Sequence, residues 1–303
     1  MTDRLLALGH DTVVFDNFST GHAQFLEEAR QSPRLTIIRG DNLDPDALTA
    51  AMHGCDFVIH LAANADVRFG SLNPRRDFDQ NTIATFHVLE AMRHNNIHQI
   101  AFSSTGSVYG EASIFPTPED APFPVQTSFY AASKLACEGL LGAYSEAYGF
   151  RVFIFRFVSI LGERYTHGHV FDFVKSLRAD PTVLRVLGNG KQRKSYLYVH
   201  DCIDAILLTI NKAAGRINIF NLGTDEYCEV TDSIRLITQR MGVAPELQFA
   251  GGERGWVGDS PFIFLDCSRV RALGWQPRLT IGEGVLRTVD DLLSHPDLLE
   301  RCP

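Results

Sequence analysis

No run of apolar residues reaches the roughly 18 that a membrane-spanning helix needs. Positive charge is also short: 28 Lys and Arg stand against 36 Asp and Glu, for a formal net charge of −8. That balance argues against a nucleic-acid partner and against an anionic membrane surface. The six cysteines, Cys55, Cys137, Cys202, Cys228, Cys267 and Cys302, include no Cys-x-x-Cys pair. They read as free thiols in a reducing, cytoplasmic setting, not as a disulfide framework. Leu5 to Leu8 is too short an apolar run for a signal-peptide core. Repeats, low-complexity tracts and flexible linkers are missing too. His167-Gly168-His169 finds no third ligand, so it reads as a polar loop and no metal site is expected.

What the chain does have is a large apolar content, 45% of 303 residues, enough for one large or two modest domains. Its most informative stretch is Tyr130-Ala131-Ala132-Ser133-Lys134. The segment opens a helix that runs on through Leu135, Leu140, Leu141 and Tyr144. Four residues apart, Tyr130 and Lys134 share one helix face. A phenol with a pKa near about 10 is a poor base, and an adjacent ammonium favours its ionised form. Such a pair can act as an acid/base catalyst near neutral pH. Just upstream, the apolar run Ile100-Ala101-Phe102 predicts a buried strand ending in Ser103-Ser104-Thr105-Gly106-Ser107-Val108-Tyr109-Gly110. Hydroxyls at the C-terminal end of a strand in an open α/β sheet sit where such sheets bind ligands.

A Ser/Thr cluster ending in Val-Tyr-Gly, followed by Tyr-x-x-x-Lys, resembles the extended short-chain dehydrogenase/reductase family. In pattern it is most similar to nucleotide-sugar epimerases of the UDP-glucose 4-epimerase type, from Asp3 to about Leu293. The resemblance implies an α/β fold: a Rossmann-like doubly wound parallel sheet with a smaller mixed α/β substrate domain. The implied boundary puts an NAD-binding domain at 1–157 and a nucleotide-sugar domain at 158–303, with some segments returning to the first.

Along the chain, Asp3 to Leu8 predicts a helix end closed by Gly9, and Thr12 to Phe15 a buried strand. Asp16 then stands where an acid hydrogen-bonds the adenosine ribose, with Asn17 beside it; an ordinary turn after a strand is the alternative. The glycine-rich phosphate turn should lie about 20 residues before that acid. Counting back from Asp16 passes Met1, so the first strand and glycine loop are expected to be missing, and NAD binding to be weakened. Leu35 to Ile38 is the next strand. The resemblance assigns Asp41 and Asn42 to adenine; a helix cap ahead of Pro45 is the other reading. Phe57 to Leu61 predicts a strand, with His60 structural and Leu61, Ala62 and Ala63 lining the cofactor. Asn81 is expected to open a helix and support the cofactor, as Ser103, Tyr130 and Lys134 do in relatives. Helices Asn81–His94 and Phe129–Tyr148 imply a homodimer, because they pair across a two-fold axis in the family.

Arg151 to Phe155 is the next strand, and Ser159 stands where many relatives carry a substrate-binding Asn. Gly188-Asn189-Gly190 signals a hairpin turn into Lys191-Gln192-Arg193-Lys194. The family carries a phosphate-binding Arg at Arg193; a solvated hairpin is the alternative, and Arg254 is a looser second match. Leu273-Gly274-Trp275 reads as packing. The implied reaction is NAD-dependent epimerisation of a nucleoside-diphosphate sugar at C4. Tyr130 would take the hydroxyl proton, Thr105 would bond the same oxygen and Lys134 would hold the phenolate. A 4,6-dehydratase would place acids after the threonine, where Gly106 and Ser107 stand. A related reductase and a non-catalytic sugar-nucleotide-binding remnant are the remaining alternatives.

Overall fold

The computed structural model describes residues 1–301 other than Ala65, Asp66, Arg68, Phe69, Val257 and Pro261. Helix α1 (Thr2–Ala7) leads to strands β1 (Thr12–Asp16) and β2 (Leu35–Arg39), then α2 (Pro45–Ala51) and β3 (Val58–His60). Next come α3 (Pro74–Asp77), α4 (Ala84–His94), β4 (Gln99–Thr105), α5 (Phe129–Tyr148) and β5 (Arg151–Phe157). The second half carries β6 (Ser159–Leu161), α6 (His169–Ala179), β7 (Val183–Val186), β8 (Arg193–Lys194), β9 (Tyr196–Tyr198) and α7 (Val199–Lys212). It closes with β10 (Ile217–Leu222), β11 (Cys228–Glu229), α8 (Val230–Met241), β12 (Glu246–Phe249), β13 (Phe262–Ile263), α9 (Ser268–Ala272), α10 (Ile281–Ser294) and α11 (Pro296–Arg301).

The main sheet is parallel, in the order β10-β5-β4-β3. Apolar residues run unbroken through Ile100–Phe102 of β4 and Val152–Phe155 of β5 because both faces are covered. Ile100, Phe102, Val152 and Ile154 pack with α2, α4 and α5 on one face. The alternating Ala101, Phe153 and Phe155 pack with α7 and the segment around Trp275 on the other. Trp275 is buried and donates Nε1–H to the Asp201 carbonyl at 3.0 Å. A third core joins α6, α8 and α10 over β7 and β9.

Strands β1 and β2 pair only with each other among the described residues, as a separate parallel ribbon. Phe15 ties this ribbon to the main sheet by packing on the same core as Val58. Thr12–Phe15 is a strand, but it is not buried: every residue of β1 stays partly exposed and Val13 is 40% exposed. Among the described residues, one edge of β1 has no strand partner.

Four other expectations change. The chain turns helical before Asn81: α3 starts at Pro74, and Phe78–Ile83 widen into a π-helical turn that contains Asn81. Gly188 and Gly190 do turn the chain with φ of +71° and +77°, yet no hairpin forms. β7 pairs with β12, β8 with β11 and β13, and β9 with β6, so tertiary pairing overrides the local turn signal. His169 is the first residue of α6 and not part of a loop. Phe57–Leu61 shortens to Val58–His60, leaving Leu61 46% exposed. No described helix is long and apolar enough to cross a membrane. Cys302 lies outside the described residues.

Candidate functional site

Strand β4 and helix α5 bring the reactive groups together. Thr105 ends β4 and caps the short turn Gly106–Tyr109; its Oγ1 accepts the Ser107 amide proton at 3.1 Å and donates to Ser107 Oγ at 3.2 Å. Ser128 starts α5 by accepting the Ala131 amide at 3.1 Å, which sets Tyr130 in the first helical turn. Burial pushes the Tyr130 phenol up to about 12, while a hydrogen bond with Thr105 opposes that rise. One turn on, Lys134 is 1% exposed. Its Nζ donates to the Ser103 carbonyl at 2.7 Å and lies 4.6 Å from the Phe102 ring centroid. Burial lowers this amine to about 8, with Cys137 and Glu138 acting against that fall. The sequence predicts an ammonium that lowers the Tyr130 pKa. In the structure desolvation of the phenol dominates, and the ammonium is engaged by Ser103 and Phe102.

Asn81 supports this pair from behind. Its Oδ1 accepts the Asn64 amide at 2.8 Å and its Nδ2 donates to Ser133 Oγ at 2.8 Å. Ser133 Oγ in turn donates to the Tyr130 carbonyl at 2.8 Å. The π-turn aims this amide at α5, a local widening often found at functional sites. His60 is buried and structural: its Nε2 sits 3.0 Å from Thr85 Oγ1, its carbonyl accepts from Ser103 Oγ at 3.3 Å, and burial lowers its pKa to about 3.

A second group of predicted residues gathers at the ends of β1 and β2. Asp16 Oδ1 accepts the Phe18 amide at 2.7 Å, and its Oδ2 has no hydrogen-bond partner among the described residues. A Cβ at Gly21 would come 3.3 Å from that Oδ2, so glycine lets the loop close over the carboxylate. Asn17 Nδ2 donates to Asp41 Oδ2 at 3.0 Å, and Asp41 Oδ1 accepts the Leu43 amide at 2.9 Å. The helix cap ahead of Pro45 is Asp44, which accepts the Ala47 amide at 3.0 Å. The Asn42 carbonyl meets His87 Nδ1 at 3.0 Å. Leu61, Ala62 and Ala63 follow β3 at its C-terminal end.

The residues predicted for substrate contact stand in the second half of the chain. Arg193 stacks on Phe262 at 4.1 Å and on Tyr227 at 5.5 Å. Arg254 pairs with Glu111. Ser159 is exposed in β6. Lys194, one residue past Arg193, donates to Asp259 Oδ1 at 2.7 Å and to the Ser260 carbonyl at 2.5 Å. Around it stand Trp256, whose ring is 5.7 Å from Lys194 Nζ, and His169, whose Nδ1 lies 3.2 Å from Tyr196 Oη. Trp256 Nε1 and His169 Nε2 are buried without a hydrogen-bond partner among the described residues. The loop holding Trp256 and Asp259 touches Thr127, three residues before Tyr130, through a Thr127 Oγ1 to Gly258 carbonyl contact of 3.5 Å. Strand alternation was the available signal: neighbours on β8 point to opposite faces, so only one of Arg193 and Lys194 can face a given cleft.

Known proteins place this arrangement. The model of the NAD dependent epimerase/dehydratase family matches residues 1–223. A UDP-glucose 4-epimerase of Mycolicibacterium smegmatis is 32% identical, with 96% of this chain and 93% of that protein covered. A solved UDP-galactose 4-epimerase is 33% identical with a TM-score of 0.87, covering 97% of this chain and 94% of that one. A Thermus thermophilus UDP-glucose 4-epimerase, solved with NAD, is 28% identical with a TM-score of 0.83 over 96% of this chain and 94% of its own. The chain therefore belongs to the NAD-dependent epimerase/dehydratase family.

Proposed function

We propose that this protein interconverts the C4 epimers of a nucleoside-diphosphate sugar through a 4-keto intermediate. The observation that carries the reading is the convergence of Tyr130, Thr105 and a fully buried Lys134 at the end of β4. The names of the similar proteins point to UDP-glucose and UDP-galactose as the first substrates to test.

The residues present fit NAD at its two ends. Asp16 offers a free carboxylate oxygen for a ribose diol under the close loop at Gly21, with Asn17, Asp41 and Asn42 beside it for adenine. Leu61, Ala62, Ala63, Asn81 and Ser103 lie along the path to Tyr130 and Lys134 at the nicotinamide end. NAD, when bound, would supply the hydride acceptor. Tyr130, whose phenol is raised to about 12 by burial with the Thr105 hydrogen bond opposing that rise, takes the proton of the sugar hydroxyl and later returns it. Thr105 bonds the same oxygen. Lys134 anchors the phenol's side of the site through Ser103.

Lys194, with the unpartnered Trp256 Nε1, is proposed to supply donors for the substrate's diphosphate. Arg193, Arg254 and Ser159 are proposed for its outer rim. Against the dehydratase alternative, position 106 has little room for an acid: a Cβ at Gly106 would lie 3.0 Å from Ile263 and 3.2 Å from the Phe157 carbonyl. We take 1–157 with β10 as the cofactor domain and the rest of 158–303 as the substrate domain. The exposed Phe86 and Tyr148 on α4 and α5 fit a homodimer across those helices, and the five described free thiols fit a cytoplasmic location. Light scattering checks the first: a monomer at micromolar concentration removes the dimer. Proton NMR of UDP-glucose incubated with the protein and NAD tests the activity. Appearance of the galactose anomeric signal, absent with Tyr130→Phe, is expected; an unchanged spectrum rejects the proposal.

A further inference from the structure

Beneath the reactive pair lies a buried charged network that the proposed chemistry does not use. Glu138 stands one turn beyond Lys134 on α5 and is 8% exposed; Arg156, on β5, is 2% exposed. The guanidinium grips the carboxylate with Nη2 to Oε2 at 2.7 Å and Nε to Oε1 at 3.1 Å. Ser104 Oγ, between Ser103 and Thr105 on β4, donates to the same Oε1 at 2.5 Å. Arg156 Nη1 donates to Tyr109 Oη at 2.7 Å and to the Glu119 carbonyl at 2.8 Å. Tyr109 Oη passes the chain to Asn221 Oδ1 on β10 at 2.8 Å. The rings of Tyr109 and Phe123 each approach the guanidinium at 4.9 Å.

A buried ion pair is a poor way to gain stability, because desolvation offsets most of its Coulomb attraction, and apolar residues of similar volume often serve as well. What such a pair does well is fix geometry. One carboxylate here joins three elements: α5, which carries Tyr130 and Lys134; β4, which carries Ser103 and Thr105; and β5. We propose that Glu138 is a positioning residue. Held by Arg156 and Ser104, it clamps α5 to the strand ends, so that Tyr130 meets Thr105 and Lys134 meets Ser103. The clamp acts through those residues and never touches substrate. The carboxylate also opposes the loss of charge on the buried Lys134 amine. This inference rests on the epimerase reading for its kinetic consequence, but not for its structural one.

The test uses two variants of the full chain. Glu138→Gln alone leaves Arg156 buried and unpaired and can unfold the protein, so it is replaced by the double variant Glu138→Met with Arg156→Met, which removes both charges. Ser104→Ala is the second variant and keeps the ion pair. The double variant is expected to lose about 100-fold in kcat, the scale of a misplacement near 1 Å, with KM for the sugar nucleotide unchanged. Hydrogen–deuterium exchange should rise at 129–134 and 103–106, and around Tyr109 and Glu119, which lose their bonds to Arg156, and stay at the parent level elsewhere. Ser104→Ala is expected to show the same rise at 129–134 and 103–106 with a smaller, about tenfold, kcat loss. A uniform rise in exchange, or a kcat within twofold of the parent in a folded double variant, overturns the clamp. If the parent itself turns over no nucleotide sugar, the epimerase reading fails, and the local exchange pattern alone decides the clamp.

Discussion

The main sheet and the β1–β2 ribbon are built from similar apolar strands, yet they differ sharply in burial. On β5 five consecutive residues, Val152 to Arg156, are buried, and the charged one among them is fully hydrogen-bonded. On β1 no residue is buried. The reactive pair and its clamp stand on the first kind of surface, while Asp16 and Asn17 stand on the second. Proton transfer, as proposed for Tyr130, depends on placement within about an ångström.

Four measurements break or sharpen that contrast. The largest effect is expected at the buried end: Tyr130→Phe should lower kcat by about 10²–10⁴ while nucleotide-sugar affinity, read by calorimetry, survives. Near-parent turnover would remove Tyr130 from its role. Next is packing. Leu89, fully buried under the main sheet, should cost about 2–5 kcal/mol as Leu89→Ala, and the half-exposed Val13 of β1 less than about 1 kcal/mol as Val13→Ala. Equal shifts in urea midpoint would contradict the difference between the regions.

The third is acid sensitivity. His60 and His169 have folded pKa values of about 3 against the ordinary 6.5. Between those values the unfolded chain binds protons that the folded chain refuses, so stability falls as pH drops from 6.5 toward 3. Lys134, lowered from 10.5 to about 8, is a burial penalty present in full below about 8 and relieved as pH rises to 10.5. Melting temperatures at pH 7 and 4.5 should therefore differ less in His60→Gln than in the parent; an unchanged difference would refute the histidine contribution. The smallest effect separates two neighbours on β8. Lys194→Ala should raise KM about tenfold, the worth of a charge-assisted hydrogen bond, and Arg193→Ala less than about threefold. The reverse order would make Arg193 the principal phosphate contact.

How much of this was legible follows from which signals are local. Tyr130 and Lys134 could be paired from a spacing of four on one helix, and Phe129–Tyr148 has the ends the sequence predicts. Asp16 was legible as the polar end of an apolar strand. Three things were not. The π-turn at Phe78–Ile83 leaves no compositional mark, yet it aims Asn81 at Ser133. The hairpin at Gly188–Gly190 failed because the strands that follow find partners far along the chain. Glu138 and Arg156 lie on different elements, and only the register of β4 on β5 sets Ser104 beside Arg156.

The central claim is that hydrogen removed from C4 returns to C4 while Tyr130 shuttles the hydroxyl proton. The most direct measurement follows UDP-glucose deuterated at C4, in ordinary water, by NMR and mass spectrometry. The account predicts a C4 epimer that keeps its deuterium at C4, formed by the parent and not by Tyr130→Phe. A product with the label washed out to solvent, or no epimer from the NAD-supplied parent, would contradict it.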